Sequence, residues 1–232
     1  MRTLSTVFIL LVSLLFGLPT HPSEPCQNLL ASLRQTHPLE IEPFRLTVGN
    51  DSFSITHKLG ESSAEVYLAA DRKHVIKLYR SKNRFDFATV YLARLEYWRT
   101  LFLEEKGFPV AHIYAYPKTL PNGDTVVIKA YIEGLTADAL RDAHGRTPDD
   151  DAIPSEDRPG LQREIEAQIG RLQNLQAKIL HLYRSGEFLR WLQNKVDLER
   201  EFVAAEWVSF TADVYKESNY VLTPKGWVVI DP

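Results

Sequence analysis

Asp213-Val-Tyr-Lys-Glu-Ser-Asn219-Tyr-Val-Leu-Thr-Pro-Lys-Gly-Trp-Val-Val-Ile-Asp231-Pro232 is the stretch around which the rest of the chain is organised. Two β-branched and aromatic runs, 220–222 and 227–230, flank Thr223-Pro224-Lys225-Gly226, a sequence with turn chemistry, so the segment reads as a β-hairpin. Residues just outside the two strands of a hairpin share its open end, which sets Asn219 beside Asp231. With Asp213 upstream, an amide and two carboxylates converge into a hard-oxygen set suited to Mg²⁺, a cation that takes few protein ligands and keeps room for water and phosphate. A surface hairpin with ordinary polar ends is the competing reading of this stretch taken alone.

Working outward, the chain of 232 residues suits one good-sized domain or two small lobes, and its 44% hydrophobic content suits a folded globular protein. Its 27 basic and 30 acidic residues leave a net charge of −3, which gives no reason to expect nucleic acid as a partner. Residues 1–25 differ in kind. Arg2 precedes an apolar run over 7–18, and Pro19, Pro22 and Pro25 follow. This is the pattern of an export signal, too short to span a bilayer comfortably, so the expected location is secreted or periplasmic, with no stable membrane span after processing. Cys26 is the single cysteine, so an internal disulfide is excluded and the fold rests on its core.

Residues 26–43 read as an extension with a short helical candidate over 28–34. Strand patterns follow at 44–48, 53–58, 65–69 and 75–79, broken by Gly49-Asn50-Asp51, Gly60-Glu61-Ser62-Ser63 and Asp71-Arg72-Lys73. A helix is expected over about 84–105, with Ala88, Leu92, Leu95, Phe102 and Leu103 on its apolar side and a stop at Gly107. Further strands at 113–116 and 125–131, the latter entered through Asn122-Gly123, complete an antiparallel sheet of about five strands with one helix inserted. From Gly134 the composition turns helical: a short helix over 135–143, a loop containing Asp149-Asp150-Asp151 that reads as solvated, and two amphipathic helices. Leu161, Ile165, Ile169, Leu172, Leu175, Ile179 and Leu182 mark the first. Phe188, Trp191, Leu192, Val196, Leu198 and Phe202 mark the second.

Two charges stand where charge is costly. Lys77 lies in the apolar run Val75-Ile76-Lys77-Leu78, and Glu96 emerges from the buried side of the next helix, so each needs the other. An ion pair so placed can hold a lysine against nucleotide phosphates. The small-residue turn at Gly60, Ser62 and Ser63, ahead of Val66, lets backbone N–H groups approach phosphate oxygens. Tyr131-Ile132-Glu133-Gly134 ends the sheet and opens the helical half, as a hinge over an adenine would.

Taken together, these residues resemble the protein-kinase-like fold over roughly 53–232. The glycine-rich loop looks like 60–66, the strand lysine like Lys77, the helix glutamate like Glu96 and the hinge like 129–134. The catalytic-loop aspartate looks like Asp213, the metal-binding asparagine like Asn219 and the aspartate of the D-F-G element like Asp231. Departures accompany the likeness: one glycine stands in place of three, Thr211-Ala212-Asp213 replaces His-Arg-Asp, and Asp213 to Asn219 is one residue longer than usual. The resemblance implies an α+β, two-lobed architecture with an N-lobe over 44–132 and a minimal C-lobe over 133–232, truncated after the D-F-G-like aspartate. It also implies an ATP- and Mg²⁺-dependent phosphotransferase acting on a protein hydroxyl or a small hydroxylated molecule. In that role Lys77, held by Glu96, meets the phosphates; Gly60, Ser62, Ser63, Val66 and Tyr131 surround the nucleotide; Asn219 and Asp231 hold the metal; Asp213 serves the acceptor hydroxyl. The alternative is a catalytically inactive pseudokinase acting as a nucleotide- or protein-binding module.

Overall fold

Alternation along two central strands decides the architecture. Strand β4 (His74–Tyr79) and strand β6 (Thr125–Ala130) are antiparallel neighbours, with Lys77 opposite Val127 and Lys129 opposite Val75. Side chains two apart share a face, and directly opposed residues share it too. One face therefore carries Val75, Lys77, Tyr79, Val127 and Lys129, and the other carries Ile76, Leu78, Val126 and Ile128. The second set joins Val48, Ile55, Tyr67 and Ala69 in an apolar core of its own.

The computed structural model, in which these strands are seen, describes residues 38–61, 63–81, 87–145, 158–197 and 212–232. Its architecture is α+β. A six-stranded antiparallel sheet runs in the order β1-β2-β3-β4-β6-β5, with β1 at Leu39–Val48, β2 at Asp51–Glu61, β3 at Glu65–Ala69 and β5 at Lys118–Thr119. Register shifts between Glu40 and Phe44 in β1, and in the β2–β3 pairing, mark bulges, which bend strands and bring the apolar side chains of the outer face together.

Helix α1 (Phe87–Glu105) packs on the lysine-bearing side of the sheet. Ala93, with Leu92, Tyr97 and Leu101 partly buried, meets Tyr79, Ile113 and Val127, while Leu95, Phe102 and Leu103 enter the helical core. The helix is apolar on two sides because it lies between two bodies of structure. Gly107, in the left-handed region at φ +79, closes it: its N–H donates to the Glu104 carbonyl and the Phe108 N–H to that of Leu103.

The helical part consists of α2 (Ala137–Gly145), α3 (Arg158–Arg184) and α4 (Glu187–Gln193). Its core gathers Leu140, Ile165, Leu172, Ile179 and Leu192 around a second antiparallel sheet, β7 (Leu135–Thr136), β8 (Tyr220–Thr223) and β9 (Gly226–Val229). The Trp227 indole N–H donates to the Gln168 carbonyl at 2.9 Å and the Tyr220 hydroxyl to the Val214 carbonyl at 2.6 Å, fixing both strands of the hairpin to their surroundings. Among the described residues, no helix is long and apolar enough to cross a membrane.

Several expectations change. Six strands form where about five were expected. The edge strand starts at Leu39, since a bulge lets the polar stretch ahead of Phe44 pair with Lys58 and His57. Residues 113–116 do not form a strand: Ile113 makes one isolated bridge to Lys129, and the two-residue β5 takes the edge through the Asn122-Gly123 turn instead. Leu135 and Thr136, expected to be helical, pair with Leu222 and Val221 as β7 before α2 begins. Helix α4 ends at Gln193, where i→i+3 bonds from the Asn194 and Lys195 N–H groups tighten the last turn. The export segment, the helical candidate over 28–34, positions 84–86 ahead of α1, the Asp149–151 loop, and Leu198 and Phe202 of the expected second amphipathic helix lie outside the described residues.

A Cβ on Gly134 would stand 2.3 Å from the Leu222 carbonyl oxygen and 2.6 Å from Val221 Cγ1, so the chain entering β7 passes against β8 with room for hydrogen alone. Gly60, by contrast, has nothing within 4 Å of such an atom. Gly134→Ala should therefore destabilise the fold by about 1–3 kcal/mol and Gly60→Ala by less than about 0.5 kcal/mol, read from urea unfolding midpoints.

Candidate functional site

The face of β4 and β6 turned towards α1 holds two ammonium groups, and both are almost wholly removed from water. Each is matched. Lys77 Nζ lies 2.8 Å from Glu96 Oε2 and 2.9 Å from Asp231 Oδ2. Lys129 Nζ lies 2.7 Å from Glu96 Oε1 and 2.5 Å from the Ile230 carbonyl oxygen, to which it donates. The Tyr79 hydroxyl donates to Glu96 Oε2 at 2.5 Å. Glu96 is thus shared by two strands, and both lysines reach past it to the end of the hairpin.

Burial sets how tightly each charge is held. Glu96 is 4% exposed, and that desolvation works against its ionised form; Lys129 and Lys77 outweigh it and hold the carboxyl at about 2. Burial would lower the Lys77 ammonium, but the carboxylates of Asp231 and Glu96 overcome it and raise it well above the usual range. Burial and the neighbouring Glu96 carboxylate likewise push the Tyr79 hydroxyl well up, so it serves as a donor. The Asp231 side chain is 32% exposed, and it alone of these partners opens substantially to solvent.

That opening is a cavity of about 690 Å³ between the six-stranded sheet and the hairpin. Gly60, Glu61 and Val66 line one side, Lys77 and Lys129 the back, Ala130, Tyr131 and Gly134 the chain between the two sheets, and Asn219 and Asp231 the floor. The cavity mixes an apolar body with convergent polar groups, the composition of a small-molecule site.

The structure brings most of the expected site residues together. Lys77, Glu96 and Asp231 form one connected cluster, and Gly60, Val66, Tyr131 and Asn219 line the same cavity. Asn219 is buried at the end of a 3₁₀ turn (Glu217–Asn219), and its carbonyl accepts the Ile230 N–H at 2.8 Å, which places it across from Asp231 at the open end of the hairpin. Ser63 sits on the exposed bend between β2 and β3, and the backbone of Asp213 belongs to a second 3₁₀ turn (Ala212–Tyr215) just before. Ser62 and the Asp213 side chain lie outside the described residues. The turn is tighter than expected, because Gly60 and Glu61 are already paired with Val66 and Glu65.

Sequence reasoning missed Lys129 as a charge and read it only as the start of the hinge. The signal was present: Val126-Val127-Ile128-Lys129-Ala130 sets a lysine in an apolar strand just as Val75-Ile76-Lys77-Leu78 does. Glu61, on the cavity rim and paired with Lys58, is a second such residue.

An amide oxygen and a carboxylate, Asn219 and Asp231, are hard donors that fit a Mg²⁺ ion with open positions. No protein-family model matches the chain, and no curated protein matches its sequence.

Since the folded Glu96 carboxyl titrates at about 2 against an ordinary 4.5, its pairing favours the folded state fully above pH 4.5 and is lost as pH falls towards 2. The magnitude is on the order of 3 kcal/mol. In urea unfolding, Glu96→Gln should be less stable than the parent by about 3–5 kcal/mol near neutrality. That gap should narrow steadily between pH 4.5 and the acid limit; a gap independent of pH would show that Glu96 is not the ionised partner.

Proposed function

We propose that the chain is a phosphotransferase of the protein-kinase type, using ATP and Mg²⁺ to phosphorylate a protein hydroxyl or a small hydroxylated molecule. One observation carries the reading. A buried strand lysine is held between a helix carboxylate and the carboxylate that ends a hairpin, at 2.8 and 2.9 Å, on the wall of a cavity large enough for a nucleotide. A lysine in that position meets nucleotide phosphates in kinases, where the strand-lysine to helix-glutamate pair and a metal-binding aspartate must both be in place.

The chain's own residues divide the work. Glu96, too buried to turn outward, fixes the Lys77 ammonium at the back of the cavity. Lys77 carries a fixed positive charge for phosphate oxygens. Asn219 and Asp231 would hold Mg²⁺, which when bound supplies charge neutralisation at the phosphates. Ala130, Tyr131 and Gly134 present backbone and ring surface to a base, and Val66 covers it from the sheet. Asp213, next in chain order ahead of Asn219, is assigned to orient and deprotonate the acceptor hydroxyl. Most of the acceleration in such a site comes from positioned charge rather than covalent chemistry.

One feature favours the silent alternative, a pseudokinase that binds nucleotide or protein without transfer. Glu61 sets a carboxylate on the cavity rim where the loop would approach phosphates, and among the described residues its charge is paired with Lys58 at 2.5 Å.

Wild-type protein should be stabilised against heat by ATP with Mg²⁺, and should transfer radiolabel from the γ-phosphate to an acceptor or to water. Lys77→Met and Asp231→Asn should each lower that transfer by at least on the order of 10²-fold. Full turnover in Asp231→Asn would sink the assignment, and stabilisation with no transfer in the wild type would establish the pseudokinase.

A further inference from the structure

An ammonium group has three N–H donors. Lys129 directs one to Glu96 Oε1 and one to the carbonyl oxygen of Ile230, the residue that precedes Asp231. The Ile230 N–H is itself bonded to the Asn219 carbonyl. The residue that leads into the aspartate is therefore fixed through both its N–H and its carbonyl, whereas Lys77 holds the aspartate only by its side chain.

The difference matters once a nucleotide enters, a step that rests on the phosphotransferase reading. Lys77 already directs two of its three N–H donors to Glu96 and Asp231, and Asp231 meets it through Oδ2, so a phosphate on Lys77 and a metal on Asp231 would draw on groups already engaged with each other. The side-chain link between the sheet and the hairpin end is then shared with the ligand and weakened. Glu96 also loses part of its compensation from Lys77, and a buried carboxylate without a cation is strongly destabilising.

The geometry assigns to Lys129 the role of a positioning residue: through the Ile230 carbonyl it keeps Asp231 in place, and through Glu96 Oε1 it keeps that carboxylate paired, while Lys77 is shared with the nucleotide. Neutralising Glu96 would not by itself need this lysine's reach to the hairpin, because Lys77 and Tyr79 already occupy Oε2. The bond to Ile230 is what sets Lys129 apart. Lys129 is 2% exposed, and its bond to Ile230 is partly buried.

Amide hydrogen exchange in the full-length protein tests the tether without any ligand, because the Ile230 N–H reports the hydrogen bond next to it. Lys129→Met should lower Ile230 protection by at least about tenfold, and Lys77→Met by less than about threefold, with circular dichroism confirming that both variants are folded. Equal protection in Lys129→Met and the wild type, or a larger loss in Lys77→Met, overturns the tether. Mn²⁺ binding in the presence of ADP, followed by electron paramagnetic resonance, tests the consequence. Lys129→Met should weaken Mn²⁺ by roughly tenfold while ADP affinity in EDTA shifts less than about threefold, the signature of a residue acting through a metal ligand. A wild type that binds neither Mn²⁺ nor ADP overturns the phosphotransferase reading and leaves the exchange result to decide the tether. Should Lys129→Met not fold, the ¹⁵N signal of the Lys129 ammonium in the wild type decides instead. Slow exchange of its protons with water supports the tether, and fast exchange overturns it.

Discussion

A carboxylate cannot be taken out of water unless cations go with it, and the burial of Glu96 is the constraint on which the rest of the site depends. Its two oxygens are met by Lys77, Lys129 and Tyr79, from β4 and β6, while the carboxylate itself comes from α1. A slip of one residue in either strand would turn its lysine to the opposite face, into the apolar cluster of Ile76, Leu78, Val126 and Ile128. The register of the sheet, the placement of the helix and the ionisation of three groups are therefore one problem with one solution. Removing a partner from such a network costs several kcal/mol, because what remains is an uncompensated buried charge.

The same network explains why some members are fixed and others free to change partner. Glu96 and Lys129 are sealed, so their contacts belong to the fold. Asp231, about one-third exposed, faces the cavity. A charge that is paired yet open can exchange one partner for another at lower desolvation cost than a sealed one.

What could be read from the sequence follows the same physics. Lys77 and Glu96 were legible because an ion in an apolar strand, and another on the buried side of a helix, are each improbable unless paired. The hairpin was legible from its turn chemistry, and β8 and β9 meet at Thr223 and Gly226 as that chemistry requires. Lys129 obeyed the same rule as Lys77 but stood next to the change in composition at the hinge, and proximity in sequence to that boundary hid its burial. Strand β7 has two residues and no periodicity to read; its existence depends on Leu222 and Val221 arriving from almost ninety positions away, roughly the spacing no local pattern encodes. The start of β1 was obscured because Glu40, Glu42 and Pro43 have the composition of a connection, and the bulge that lets such a stretch pair is a property of the sheet.

The cavity wall closes on itself as a ring of short-range links. From Lys129 the chain runs through Tyr131 to Gly134, which presses against the Leu222 carbonyl; β7 pairs with β8, β8 with β9, and Ile230 after β9 accepts from Lys129 again. Residues 109–114 brace the ring from behind: Pro109 and Ala111 bond to Val229, and His112 and Tyr114 bond to Ala130 and Ile128. Displacing one link would strain the others, so the back and floor of the cavity act as one body. The side formed by Gly60 and Glu61 is held by their pairing with Val66 and Glu65, and the exposed Lys58 to Glu61 pair adds a contact worth little in water.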